Sequence, residues 1–180
     1  MNKPITTLAA SIAVIAVLSG CGTQTPAQPP RPVSQCGTAG IEPATGETDV
    51  CSAESVLLTA VRTIFGYRPS EQPDQRAAFR TARDLIDPEF AQQGEPSALV
   101  WAPVGSDQWQ QWRRDGIEIT TLVRLTRDDH PPDTPTAAAR VLSVQIRPAD
   151  QPSIGFAVYA RAHRTTTTAA WLLAALEVIA

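Results

Sequence analysis

The hydrophobic period of the chain changes at Gly116, from a spacing of three to four residues to a spacing of two, and this change constrains the fold more than any other feature. Before it, "CSAESVLLTAVRTIFGYRP" sets Val56, Leu57, Ala60, Val61, Ile64 and Phe65 on one stripe, the pattern of an amphipathic helix. Ser52 is placed to cap that helix, Glu54 sits favourably in its first turn, and Gly66 with Pro69 stops it. A second helix is expected from near Asp74 in "PDQRAAFRTARDLIDP", with Ala78, Ala82, Leu85 and Ile86 facing inward and Pro88 ending the run. Its other side carries Arg76, Arg80 and Arg83. Because Arg80 precedes Asp84 and Arg83 precedes Asp87 by four residues, this stripe reads as a charge-balanced solvated face rather than a grip on a phosphate-bearing partner. Between Ala91 and Gly116 a tryptophan-rich connection is expected, with one short helix capped by Ser106, holding Trp109 and Trp112 and ended by Gly116.

After Gly116 the pattern is that of strands. In "GIEITTLVRLTR" the residues Ile117, Ile119, Val123 and Leu125 alternate with Glu118, Thr120, Arg124 and Thr126. The turn "DDHPPDTPT" follows, kept from a sheet centre by Pro131, Pro132 and Pro135. In "ARVLSVQIR" Leu142, Val144 and Ile146 share a face. In "IGFAVYARAH" Phe156, Val158 and Ala160 share one face, and Tyr159, Arg161 and His163 the other. The closing "AAWLLAALEVIA" favours helix by propensity and strand by position, and strand is the reading taken. Two or three helices followed by about four strands predict an α+β fold, with N-terminal helices packed on an antiparallel sheet.

The first 51 residues read differently. Asn2 and Lys3 form a weakly basic head, and the run Ile5 to Leu18 is an apolar middle of 14 residues, short of the roughly 20 that a spanning helix needs. The sequence Leu18-Ser19-Gly20-Cys21 resembles the lipobox of bacterial lipoproteins, in which the cysteine thiol receives diacylglycerol and the chain is cut before it. That resemblance implies a signal peptide over 1–20, lipidation of Cys21, and attachment to the outer side of the cell membrane by acyl chains, each buried methylene contributing about 0.8 kcal/mol. Residues 21–51 are rich in Pro, Gly, Thr, Gln and Ala, with Pro26, Pro29, Pro30 and Pro32 close together, and are expected to be a tether reaching on the order of 30 Å. Within it, Cys36 and Cys51 are an even pair in an exported chain and are expected to form a disulfide. The folded domain is placed at 52–180.

With its single lysine in the leader, the mature chain carries 14 arginines against 18 acidic residues, which excludes a basic footprint for nucleic acid. Arginine in place of lysine, alongside abundant Ala, Pro, Thr and Asp, reflects a GC-rich coding sequence and suggests an actinobacterial source. No HExxH, glycine-rich phosphate loop or GxSxG is present. Asp128, Asp129 and His130 are adjacent, and adjacent side chains seldom address one ion, so neither a metal site nor a cofactor is expected. Trp101, Trp109 and Trp112 either line a ligand-facing aromatic wall or close one end of the core. Tyr159 and His163 complete the candidates for a pocket or partner surface.

The order of elements and the tryptophan-rich junction resemble the NTF2-like superfamily, whose curved sheet wraps a helical layer into a cone. With the exported, anchored arrangement, the chain is similar to VirB8-type and to conjugation- or secretion-associated envelope proteins. This resemblance implies a non-catalytic interaction or scaffold module with an envelope protein partner. The alternative it implies is a small-ligand or lipid-binding lipoprotein that uses the cone.

Overall fold

A computed structural model describes residues 36, 48–127 and 129–179, all within the unit Val33–Ala180. The expected leader, Cys21, most of the tether and Asp128 lie outside the described residues. Among the described residues no helix is long and apolar enough to cross a membrane.

Four helices precede four strands: α1 (Ala53–Ile64), α2 (Gln75–Thr81), α3 (Pro88–Trp101), α4 (Ser106–Asp115), then β1 (Ile119–Leu125), β2 (Ala137–Pro148), β3 (Ile154–His163) and β4 (Leu172–Ile179). The fold is therefore α+β, and the last segment is a strand. The strands pair in chain order, each antiparallel to the next, so the sheet is a simple meander.

The first helix forms as its sequence dictates. The Ser52 hydroxyl accepts the Ser55 amide at 3.3 Å, and Val56, Leu57, Ala60, Val61 and Ile64 are all buried. At its other end the Thr121 hydroxyl of β1 donates to the Phe65 carbonyl at 2.7 Å. This bond explains why β1 carries a threonine at an inward position. It supplies a partner to a carbonyl that the end of the helix leaves free.

The second and third helices differ from expectation. α2 stops at Thr81, a single 3-10 turn spans Arg83–Leu85, and a 14-residue helix begins at Pro88, where a stop was expected. Pro88 occupies the first turn, where its missing amide hydrogen costs nothing, and the Asp87 carboxylate accepts the amides of Glu89 and Phe90 at 2.9 and 3.1 Å. The buried side of α3 consists of Ala91, Gly94 and Ala98, so its stripe holds small residues. Phe79, Phe90 and Trp101 fill the space they leave. A Cβ on Gly94 would stand 3.2 Å from an atom of each of those three rings. Arg80 pairs across to Glu95 of α3 at 3.0 Å, and Arg76 pairs with the α2 cap Asp74 at 2.6 Å. α4 ends as expected at Gly116, which adopts φ 63°, while its N-cap is Gly105, one residue before the expected Ser106.

Directly opposed residues of an antiparallel sheet share a face. Val123, Val144 and Phe156 lie in one such row, and Leu142, Val158 and Val178 in the next; both face the helices. Against this inner face pack Phe65, Tyr67, Trp109 and Trp112, all at most 2% exposed. Phe65 meets Phe156 edge-on at 5.0 Å, and Tyr67 meets Trp109 at 5.1 Å. Burial pushes the Tyr67 phenol well above its ordinary pKa.

The cysteines hold the start of the domain. The Cys36 and Cys51 sulfurs are 2.04 Å apart, and the Cys36 amide donates to the Thr168 carbonyl at 2.6 Å. The Trp171 amide donates to the Val50 carbonyl at 2.9 Å. The residues just before α1 are thereby fastened to the β3–β4 connection.

Candidate functional site

The outer face of the sheet carries a different set of rows. Val141, Tyr159 and Glu177 form one, Ala139, Arg161 and Ala175 the next, and Ala137, His163 and Leu172 the last. Most of these side chains are half-buried or exposed. At the end of the sheet, where the rows hold alanines, residues of the connection from β1 to β2 border an open hollow of about 500 Å³. Pro131, Pro132 and Thr134 form its outer wall, and Ala137, Ala139 and Ala174 its floor. Tyr159, Arg161 and His163 supply its polar groups.

The outer wall is held firmly for so proline-rich a segment. Asp133 receives both guanidinium arms of Arg140, each at 2.7 Å, and Arg140 also donates to Glu54 of α1 at 3.0 Å. Arg164 donates to the Pro135 carbonyl at 2.7 Å and lies over the Trp171 ring at 4.5 Å. The Thr134 amide closes onto the Ala137 carbonyl at 2.9 Å. Arg140 beside Asp133 holds that carboxyl below the usual carboxylate range.

His163 is fixed from another direction. Its Nε2–H donates to the second oxygen of Asp87 at 2.9 Å, and Asp87 sits beside β4 because its amide donates to the Leu173 carbonyl at 2.9 Å. Burial would raise the Asp87 pKa, but the Phe90 amide, His163 and the Glu89 amide outweigh it and hold the carboxyl below its ordinary value. One carboxylate thus caps α3 and orients a histidine on β3. With Asp87 as the acceptor, the neutral ring leaves Nδ1 as a lone-pair acceptor.

The structure separates the residues that the sequence grouped. Tyr159 and His163 line the outer cavity, whereas Trp109 and Trp112 are core, the latter donating to the Gln151 side chain at 2.8 Å. Trp101 packs on Phe79 and Phe90 and borders a separate hollow with Val100 and Pro103 at the β4 edge. His130 is exposed, its Nδ1 2.9 Å from the Pro131 carbonyl. Among the described residues no group of three or more His, Cys, Asp or Glu is arranged to hold a metal ion. Asp87, Asp133 and Arg140 were not foreseen as organisers. Asp87 had one available signal, an Asp directly before a Pro, which is a helix-start pattern. No protein-family model, curated protein or solved structure was found to match the chain.

Proposed function

We propose that this protein is a lipid-anchored, non-catalytic component of the cell envelope, acting as an interaction or scaffold module of a secretion or conjugation apparatus. Its domain is NTF2-like in this reading, supported by helices that precede a meandering sheet and cover one of its faces. The anchor reading rests on the leader and on Cys21. One observation carries the interaction role: the layer between helices and sheet is filled by Phe65, Tyr67, Trp109, Trp112 and Phe156, while the outer face presents Leu122, Val141, Ala157 and Tyr159 half-buried with none of the described helices packed on it. A ligand-binding role inside the cone has less support, since the tryptophans that would line it are packed into the core.

Site-specific photo-crosslinking in the native membrane tests this. A crosslinking side chain at Ser143 or Ala157, on the outer face, is expected to capture a defined envelope protein. The same probe at Arg83, on the helical side, captures little, and Cys21→Ala abolishes the capture. Equal capture from Arg83, or capture that survives Cys21→Ala, contradicts the proposal.

A further inference from the structure

We propose that the cavity beneath the β1–β2 connection binds a small amphipathic monocarboxylate, its anion held by Arg161 and its apolar body laid against the alanine and proline walls. This inference does not rest on the anchor; the hollow shares Tyr159 with the outer face assigned above to a protein partner. The volume of about 500 Å³ lies within the roughly 300–1,000 Å³ typical of ligand sites. The hollow exists because small residues stand where larger ones would fill it: Ala137 and Ala139 on β2 and Ala174 on β4. Pro131 and Pro132 border it on one side, so most of the lining is methyl and pyrrolidine carbon. Such walls favour hydrocarbon.

Arg161 gives the site its sign. Its cross-strand neighbours on both sides are alanines, Ala139 and Ala175, and among the described residues no carboxylate lies within ion-pair distance of it. Glu177, the acid on the same face, opposes Tyr159 and is a diagonal neighbour of Arg161; the two border a common hollow at the β4 edge but form no ion pair. An unpaired guanidinium beside an apolar cavity matches a carboxylate in charge and in its two-pronged geometry. Its valence follows too. His163 is already committed to Asp87, so among the described residues Arg161 is the cation of the lining without an ion-pair partner, which suits a monoanion better than a phosphate. The Asp133–Arg140 and Pro135–Arg164 contacts fix the wall before any ligand arrives, which lowers the ordering cost of binding.

The probe is octanoate labelled with ¹³C at the carboxyl, titrated into the full chain in nanodiscs, with empty nanodiscs subtracted. The expected result is a saturable carboxyl shift, weakened at least tenfold by Arg161→Leu and by Ala137→Leu, which intrudes on the floor. Arg124→Leu, on the same face but outside the cavity, binds as wild type, and 1-octanol competes at least tenfold less well than unlabelled octanoate. Arg161 and Ala137 are exposed, so both variants fold, and an unchanged thermal midpoint verifies it. Absence of saturable binding, equal binding by Arg161→Leu, or an equal loss in Arg124→Leu overturns the proposal.

Discussion

At the scale of single residues, two side chains carry more than their sequence context suggests. Asp87 receives two helix amides and a histidine, and replacing it with alanine is expected to cost about 1 kcal/mol from the lost cap alone. Asn in its place retains a cap acceptor but no longer offers the carboxylate that accepts from His163, so urea unfolding of Asp87→Asn at pH 7 should fall between wild type and Asp87→Ala. The acid dependence has a definite sign. The folded carboxyl has the lower pKa, so its stabilisation is present above the unfolded value of about 3.9 and is lost as pH falls through the folded value. Asp87→Asn should therefore remove the part of the expected wild-type stability loss that sets in as pH falls below about 3.9, measurable by urea unfolding across acid pH. Gly94 tests packing in the opposite way. Alanine there gains about 1 kcal/mol of helix propensity but sets a methyl 3.2 Å from three rings, and overpacking of about 1–3 kcal/mol should outweigh the gain. A raised unfolding midpoint for Gly94→Ala would show that the rings yield freely.

At the scale of elements, legibility followed the size of the buried side chains. α1 was legible because its stripe is Val, Leu and Ile and its cap a serine; the sheet was legible because Leu142, Val144 and Ile146 alternate with polar neighbours. α3 was not. Its inward residues recur at helical spacing, 91, 94 and 98, but they are Ala, Gly and Ala, and the bulk they accommodate belongs partly to Phe79 of α2. Pro88, whose place after a helical run marks a stop, begins α3 instead, and Pro96 lies on the exposed side, where the hydrogen bond it removes is a solvent-facing one. The outer cavity was half legible: alternation put Tyr159, Arg161 and His163 on one face, but the wall that covers them depends on Asp133 meeting Arg140, a contact no periodicity announces. An Asp133→Ala variant should loosen that wall and weaken octanoate severalfold while leaving the core intact, measurable as the same ¹³C titration alongside an unchanged near-ultraviolet spectrum.

For the whole molecule, the disulfide and the proposed anchor would act in series. The bridge closes a separation of 15 residues, for which chain entropy gives about 3 kcal/mol. Cys51→Ser should lower stability by roughly that amount in denaturant and release the Cys36 amide from Thr168, seen as faster hydrogen exchange there. In the proposed arrangement that fastening sets where the tether leaves the domain. The central claim is the sulfur that begins the tether. Labelling growing cells with radioactive palmitate tests it most directly: the wild-type protein should take up label, and Cys21→Ala should take up none and keep its leader. Label retained by Cys21→Ala, or a wild-type protein whose mature first residue is an unmodified cysteine, contradicts the account.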